Sequence, residues 1–216
     1  AYQGEVAHRD STGSGGVIGE GDVQWMTAGA GIVHEEFHAE SFGKRGGEFE
    51  MAQLWVNLPA KDKKTPARYQ HLAKDNITVV PLADDAGHAR IIAGRFGNTD
   101  GAAETFTELN VWDIVLNGGA SADLDVPAGH NLMLVVLRGE VRINGGQSVQ
   151  ASQMATFERE SGSVKVEAVG GEAKILLLSG VPIDEPVVGY GPFVMNTEAE
   201  IAEVMNEFRS GKFGAV

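Results

Sequence analysis

Short runs of apolar and β-branched residues recur along the chain, and glycine, asparagine, aspartate or proline lies at or close to most of their ends. This pattern is typical of strands joined by tight turns. Glycine accounts for 29 of the 216 residues, which suits many such turns. The even spacing of the runs favours a β-sandwich or β-barrel over a parallel α/β sheet. The predicted strands are 77–82, 88–93, 111–116, 132–137, 164–169 and 173–178.

The C-terminal region predicts one helix. Thr197 and Glu200 form a capping box, in which each side chain can satisfy a free backbone N–H of the first turn. The apolar residues that follow recur at helical spacing, and Gly211 is a plausible stop. We expect this stripe to pack on the β body; it consists of Ile201, Val204, Met205 and Phe208.

Composition excludes several classes of protein. The chain has no cysteine, which rules out disulfide frameworks, thiolate zinc sites, iron–sulfur clusters and cysteine nucleophiles. No apolar run is long enough to span a membrane, and no export signal is visible at residue 1, so we expect a cytoplasmic location, or a nuclear one in a eukaryote. The net charge of −13 disfavours direct nucleic-acid binding and fits a basic protein partner.

A weak internal repeat indicates two halves. The triplet Gly-Glu-Val occurs at 4–6 and again at 139–141, an offset of 135 residues, and both copies precede a polar turn and a short strand. An offset of that length indicates duplicated domains rather than a solenoid. Prolines also bracket a basic, apolar-poor stretch after the first copy. We therefore predict a first barrel at 1–60, a connection at 61–76, a second barrel at 77–190 and a returning tail with the helix at 191–216.

The residues most able to carry chemistry are His34 and Glu36. Side chains two positions apart on a strand point to the same face, so an imidazole and a carboxylate here form half of a metal site. His38 would share that face if the strand continued straight. The alternative is a histidine and a glutamate on a solvent-facing strand.

The surrounding sequence resembles the pirin family, a branch of the cupin superfamily. The resemblance runs from residue 2 to about residue 214, and its most specific block is 24–34, Gln-Trp-Met-Thr-Ala-Gly-Ala-Gly-Ile-Val-His. It implies an all-β fold of two cupin-type β-barrels, a bicupin, and the short C-terminal helix accompanies them. The other matching segments are 8–11, 21–23, 53–58 and 191–197.

Pirins carry one metal ion, usually taken as iron, in the N-terminal barrel. The resemblance implies that His34 and Glu36 are two of its four ligands, and that the other two, an H-x-H pair, precede Gly4 and lie ahead of residue 1. We therefore expect a first barrel incomplete at its N-terminus. Its site for Fe(II) or another divalent metal would be weak or empty. His8 matches a position not counted among pirin ligands, and substitution by His8 or His38 is the open alternative.

Three functional hypotheses follow from the resemblance. The first is a quercetin 2,3-dioxygenase acting on a flavonol-like molecule, with Glu36 as the catalytic residue that contacts the substrate hydroxyl proton. This activity is expected of the intact protein and not of the present chain. The second is a metal- or redox-responsive regulatory protein that binds a transcriptional or metabolic partner. The third is a bicupin scaffold without a working site. It would be a monomer, or a strand-exchanged dimer because missing early strands would expose sheet edges.

The second half offers no rival site in the sequence. Its His130 follows a Pro-x-Gly turn with no carboxylate or second histidine spaced with it, and we interpret it as a loop residue. Segment 13–16 is rich in glycine but lacks the lysine and hydroxyl that grip phosphate, so we predict a hairpin tip. The tryptophans lie in strand-like runs, which indicates core packing or one wall of a ligand cavity; they are Trp25, Trp55 and Trp112.

Overall fold

The chain is an all-β protein. The computed structural model describes residues 1–159 and 162–216, which divide into two compact units, residues 1–74 with 183–216 and residues 75–182. The strands, in chain order, are β1 (Val6–Asp10), β2 (Gly15–Ile18), β3 (Val23–Thr27), β4 (His34–His38), β5 (Arg68–Leu72), β6 (Val79–Pro81), β7 (Gly87–Ala93), β8 (Arg95–Phe96), β9 (Thr99–Asp100), β10 (Leu109–Leu116), β11 (Ser121–Val126), β12 (Asn131–Arg138), β13 (Glu140–Ile143), β14 (Gln147–Gln150), β15 (Met154–Phe157), β16 (Gly162–Ala168), β17 (Ala173–Gly180), β18 (Val188–Tyr190) and β19 (Phe193–Met195).

Two α-helices and three short 3-10 helices complete the elements found in the described residues. Helix α1 spans Glu40–Arg45 and helix α2 spans Glu198–Arg209; the 3-10 helices are Ala60–Asp62, Lys74–Asn76 and Ala83–Asp85. Neither α-helix has the length and apolarity that crossing a membrane requires, and the same holds for every helix of the described part of the chain.

The first unit is built from two small antiparallel sheets. One has the strand order β2-β1-β4, and the other pairs β3 with β5. The hairpin β18–β19 and helix α2 return to this unit, where they pack against each other. In the first sheet β1 is the central strand, with β2 on one side and β4 on the other, and it begins at the valine of the first Gly-Glu-Val triplet.

The second unit contains the larger core. A six-stranded sheet has the order β15-β12-β17-β10-β7-β6, and a four-stranded sheet has the order β11-β16-β13-β14. Apolar side chains of both sheets form one continuous buried cluster. Within it Trp112 is 1% exposed and meets Phe96 edge-on at a ring-centroid distance of 4.9 Å. Buried residues on β16 alternate with exposed or half-buried ones, as its sequence predicts.

The strand predictions for the second unit are confirmed. Each predicted run overlaps an observed strand: β6, β7, β10, β12, β16 and β17. The hairpin tip predicted at 13–16 is correct in part: Gly13 lies in the turn between β1 and β2 with a left-handed φ of 83°, whereas Gly15 and Gly16 belong to β2 and pair with β1. The two copies of Gly-Glu-Val lead into equivalent hairpins, β1–β2 and β13–β14, and Gly4 and Gly139 both adopt left-handed backbone with φ of 82° and 75°.

The predicted capping box is present in α2. The Thr197 hydroxyl accepts a hydrogen bond from the Glu200 backbone N–H at 3.2 Å, and the Glu200 carboxylate in turn accepts from the Asn196 backbone N–H at 3.1 Å. The helix ends at Arg209, and Gly211 follows with a φ of 76°. Of the apolar stripe, Ile201 is buried and Phe208 is half exposed, with Phe193 and Phe213 as ring neighbours.

Some local features differ from the sequence analysis. Helix α1, which carries no strong sequence signal, follows β4 directly and buries Phe42. Within 61–76, assigned above to a connection, β5 pairs with β3 over five residues. Trp55 is 68% exposed and lies outside any strand, so the core packing expected of it is wrong. A strand-like run becomes a strand only where a neighbouring strand accepts its hydrogen bonds, which local sequence does not report.

Candidate metal centre

The antiparallel pair β1–β4 brings two histidines and two carboxylates onto one face. His8 lies directly opposite Glu36, and Asp10 lies opposite His34. Because side chains alternate along a strand, all four point the same way. The i, i+2 reasoning that pairs His34 with Glu36 therefore holds in the structure, and it extends to His8 and Asp10 on the neighbouring strand.

The other face of the same strand pair is a solvent-exposed surface. Arg9 and Glu35, the residues between the clustered ones, lie opposite each other and form an ion pair at 2.7 Å. Their side chains are 59% and 47% exposed. The two faces thus differ in kind: the outer face carries a surface ion pair, and the inner face carries imidazole and carboxylate side chains, which are types that can bind a metal ion.

Three side chains of the inner face could together hold a metal ion. One ligand atom each from His8, His34 and Glu36 lie within 4.8 Å of one another. The Nδ1 atoms of both histidines are 4.0 Å from Glu36 Oε1, and the two imidazole centroids are 5.5 Å apart. The His8 side chain is fully buried, whereas those of Glu36 and His34 are 23% and 34% exposed. Glu36 and His34 are therefore accessible to a ligand from solvent, and His8 is not.

Both ring nitrogens of His8 have hydrogen-bond partners. Nε2 lies 3.0 Å from Asp10 Oδ2, and Nδ1 lies 3.2 Å from the side-chain nitrogen of Gln24 on β3. The same Gln24 nitrogen donates to Glu36 Oε1. Gln24 Oε1 is buried and has no hydrogen-bond partner among the residues that the structure describes. Gln24, which lies on β3, thus connects His8 on β1 with Glu36 on β4.

Asp10 is held by the turn that follows β1. Its Oδ1 accepts hydrogen bonds from the Thr12 backbone N–H at 2.8 Å, the Thr12 hydroxyl at 2.5 Å and the Ser14 backbone N–H at 3.3 Å. Burial by itself raises the pKa of Asp10, but the hydrogen bonds from Thr12, His8 and Ser14 outweigh it and hold the pKa below its ordinary value. Asp10 is consequently a fixed acceptor for His8.

Tyr69 on β5 covers the other side of His8. The two rings stack with centroids 4.7 Å apart and planes 10° apart. Burial raises the pKa of the Tyr69 phenol, and the nearby carboxylates of Asp10, Glu36 and Asp22 raise it further. Within the described part of the chain its buried hydroxyl has no hydrogen-bond partner. Tyr69 therefore offers an uncommitted O–H donor beside the cluster.

His38 lies apart from this cluster. It shares the inner face of β4, as the alternation predicts, but sits opposite Val6 rather than opposite a ligating group. Its ring contacts Phe42 and Phe49 at centroid distances of 5.4 and 4.9 Å. His38, two residues beyond Glu36 on β4, therefore lies in an aromatic environment and is not part of the cluster that could hold a metal ion.

The loop before β4 depends on two glycines. Gly31 has a φ of 127°, and a Cβ atom there would lie 2.3 Å from the ring of Phe213. At Gly29, with a φ of 51°, a Cβ atom would lie 2.1 Å from the Thr65 carbonyl oxygen. Since Gly alone tolerates both the backbone and the close approach, these residues let the chain turn tightly into His34.

Sequence reasoning missed three residues of this environment. In the sequence analysis Asp10 and Gln24 stand only within matching segments, and Tyr69 falls in the assigned connection. Asp10 had a usable signal, because its i, i+2 relation to His8 matches that of His34 to Glu36. Gln24 and Tyr69 had none, since their places depend on the β3–β5 sheet approaching the first sheet.

His130 in the second unit has partners that the sequence did not indicate. It lies in a loop, as predicted, but is 5% exposed, with Nδ1 3.5 Å from Ser179 Oγ and Nε2 3.6 Å from a Glu108 carboxylate oxygen. Asn110 donates to the same Ser179 hydroxyl at 2.9 Å. Glu108 and Asn110 also line an open cavity of about 560 Å³. This polar cluster lies on different residues from the candidate metal centre.

Comparison with known proteins connects the chain to one family. Residues 1–56 match the family model described as Pirin, and residues 111–214 match the one described as Pirin C-terminal cupin domain. A Pseudomonas aeruginosa protein named "Putative quercetin 2,3-dioxygenase" is 50% identical over 212 residues, which cover 98% of this chain and 73% of that protein.

Two solved structures extend the comparison. The crystal structure of a quercetin 2,3-dioxygenase from Acinetobacter baumannii has a TM-score of 0.96 and 50% identity, covering 100% of this chain and 74% of that one. A bacterial pirin from Escherichia coli in complex with nickel(II) has a TM-score of 0.63 and 19% identity, covering 83% and 69%. At that identity, the second comparison shows a shared fold.

Proposed function

The chain belongs to the pirin family, and on that premise we propose that His34 and Glu36 hold a divalent metal ion for oxygenase chemistry of the quercetin 2,3-dioxygenase type. The observation that carries the proposal is the inner face of β1–β4, where His34 Nδ1 lies 4.0 Å from Glu36 Oε1 within a cluster of imidazole and carboxylate donors. Iron(II) is the metal that the family resemblance suggests.

The residues present suit such an ion. Imidazole and carboxylate donors bind first-row divalent metals, and His34 and Glu36 are both reachable from solvent. Two buried polar atoms nearby, the Tyr69 hydroxyl and Gln24 Oε1, have no partner among the described residues, which is the condition expected beside a site that accepts a further polar group. When bound, the metal supplies a Lewis acid that polarises a coordinated oxygen.

The protein side chains supply binding and proton handling. Glu36 receives one hydrogen bond from Gln24, which leaves further carboxylate lone pairs to take the hydroxyl proton of a flavonol. Tyr69 keeps its proton because its pKa is raised by burial and by nearby carboxylates, so it can donate to a ligand oxygen. A polyphenol offers both the acidic hydroxyl and the acceptor oxygen that these two groups require.

Metal binding is the first test. Zinc(II), nickel(II) and iron(II) are titrated into metal-free protein by calorimetry, up to millimolar metal because two protein ligands are expected to bind weakly. Glu36→Gln should weaken binding at least about tenfold, the lower end of what loss of one supporting partner costs at a metal site. Glu35→Gln removes the same charge from the opposite face of β4 and should leave the affinity unchanged. Equal affinities of the two variants would refute the site.

Turnover is the second test. Quercetin consumption with dioxygen is followed at saturating iron(II) for the wild-type protein and both variants. Activity that depends on iron and is lost in Glu36→Gln but kept in Glu35→Gln supports the oxygenase. Metal binding without turnover contradicts oxygenase activity of the present chain, as the sequence analysis expects, and favours the regulatory alternative, in which the metal ion alters partner binding.

A further inference from the structure

A chain of hydrogen bonds runs from the β1–β2 turn to Glu36. Asp10 contacts His8, His8 contacts Gln24, and Gln24 contacts Glu36. The first two of these side chains are almost fully buried, with His8 3% and Asp10 5% exposed. This series of hydrogen bonds therefore starts in the interior at Asp10 and ends at the Glu36 carboxylate, which is reachable from solvent.

One direction of donation satisfies all three contacts together. An ionised carboxylate has no proton to donate, so with Asp10 ionised His8 Nε2 carries the proton that faces it. His8 Nδ1 then has a lone pair, which accepts one amide hydrogen of Gln24 at 3.2 Å. The second amide hydrogen goes to Glu36 Oε1. The opposite amide orientation would set the Gln24 carbonyl oxygen against the Glu36 carboxylate, which is repulsive.

Backbone N–H groups, rather than a mobile side chain, anchor the Asp10 end of this series of hydrogen bonds. The Thr12 and Ser14 backbone N–H groups fix Asp10 Oδ1, which leaves Oδ2 for His8. Tyr69 stacks flat on the His8 ring and restricts its rotation. Gln24 comes from a different sheet from β1 and β4, so it holds Glu36 from a direction that neither strand provides.

We propose that Gln24 is a positioning residue, which His8 and Asp10 orient and which in turn sets the Glu36 carboxylate for metal binding. This inference rests on the proposed function of Glu36 as a ligand. It assigns His8 to Gln24 and not to the metal ion, because one lone pair on Nδ1 serves a single partner. Outer partners that orient a ligand typically change metal affinity 10- to 100-fold.

The experiment compares Gln24→Met with wild-type protein. Methionine has a similar length and volume but no donor, so it fills the space without holding Glu36 or His8. Gln147→Met, at an exposed position on β14, is the matched control for the same chemical change. The probe is zinc(II), which is redox-inert, so the readouts are affinity by calorimetry and histidine side-chain nitrogen-15 spectra rather than activity.

The expected result has two parts. In metal-free wild-type protein the His8 spectrum shows a protonated Nε2 and a hydrogen-bonded Nδ1, and in Gln24→Met the Nδ1 resonance moves to that of a free lone pair. Gln24→Met weakens zinc binding about tenfold or more, and Gln147→Met leaves it unchanged. On adding zinc to wild-type protein, the His34 nitrogen resonances shift as a ligand's do and those of His8 do not.

Several outcomes overturn the inference, and they are distinguishable. Wild-type affinity in Gln24→Met, with Glu36→Gln impaired, leaves the metal site standing and removes the role of Gln24. A zinc-induced ligand shift at His8 makes that histidine the third ligand instead. The Nδ1-protonated form of His8 in metal-free protein, a measurement that needs no variant to fold, breaks the chain at its second step. Failure of wild-type protein to bind zinc refutes the proposed site, and this inference falls with it.

Discussion

Gly31→Ala is expected to be among the most damaging single-methyl additions in the first unit. Gly31 has a φ of 127°, and an added Cβ would lie 2.3 Å from two atoms of the Phe213 ring. Phe213 is 7% exposed, so the ring has little room to move without losing its burial. The perturbation therefore acts on the loop that leads into His34 and on the C-terminal segment at once.

The cost follows from two separate effects. Restoring an ordinary carbon–carbon contact of about 3.5 Å requires the ring to retreat by about 1.2 Å, which forfeits much of the roughly 1.5–3 kcal/mol that burial of a phenylalanine contributes. A non-glycine residue at this φ adds about 1–3 kcal/mol of backbone strain. We expect the free energy of unfolding to fall by about 3–5 kcal/mol.

Two controls separate these effects. Gly13→Ala also places a Cβ on left-handed backbone, with a φ of 83°, but nothing lies within 4 Å of that Cβ, so only about 1–2 kcal/mol is expected. In a Phe213→Ala background, Gly31→Ala should cost only its strain, which gives a coupling energy above about 1 kcal/mol between the two positions.

Urea unfolding by far-ultraviolet circular dichroism gives the free energies, and hydrogen exchange with mass spectrometry assigns the loss to the first unit. The reasoning is refuted if Gly31→Ala costs no more than Gly13→Ala. It is refuted equally if the losses of the Gly31 and Phe213 variants simply add, because the added methyl would then not be meeting the ring.

Two further predictions concern a helix cap and an acid-sensitive turn. Thr197→Ala removes the acceptor of the Glu200 backbone N–H and should lower the free energy of unfolding by about 1 kcal/mol, with Thr197→Ser as the variant that keeps the hydroxyl; equal stabilities of the two would contradict a capping role. Asp22 accepts from the backbone N–H groups of Gly19 and Lys74 at 2.9 and 2.8 Å; burial raises its pKa, but these bonds outweigh burial and hold the pKa below the ordinary 3.8. A folded-state pKa below the ordinary value stabilises the protein above pH 3.8, and this stabilisation is lost as the pH falls through the folded-state pKa. The penalty of Asp22→Asn, measured by urea unfolding, should therefore be full at pH 7 and shrink towards pH 3. A penalty that is the same at both pH values would show that ionisation of Asp22 is not involved.

Much of the fold could be predicted from the sequence because its signals are local. Alternation of apolar and polar residues marks β16 over its own length, and the Thr197–Glu200 pair marks the start of α2 within one turn. The Gly-Glu-Val repeat indicates two halves because each copy requires a left-handed glycine before a strand. These features depend on the backbone preferences of single residues and on side-chain periodicity, and both are present in short stretches of sequence.

The candidate site was predictable only along one strand. Period-two alternation places His34 and Glu36 together whatever the rest of the molecule does, and it places His38 on the same face. It says nothing about what lies opposite each residue, which the register of β1 against β4 decides: His8 for Glu36 and Val6 for His38. Register depends on how two strands far apart in sequence align, so His38 joins an aromatic cluster instead.

The sequence by itself determined six strands of the second unit, the C-terminal helix and the position of His34 and Glu36 on one face of a strand. Only the tertiary structure decided that Gln24 bridges His8 and Glu36, that Tyr69 covers His8, and that His130 meets Glu108. These contacts join residues on different sheets or distant loops, and each forms only when long stretches of chain close at an entropic cost that the packed core offsets. Local sequence encodes the geometry of an element, whereas the approach of one element to another is a property of the whole chain.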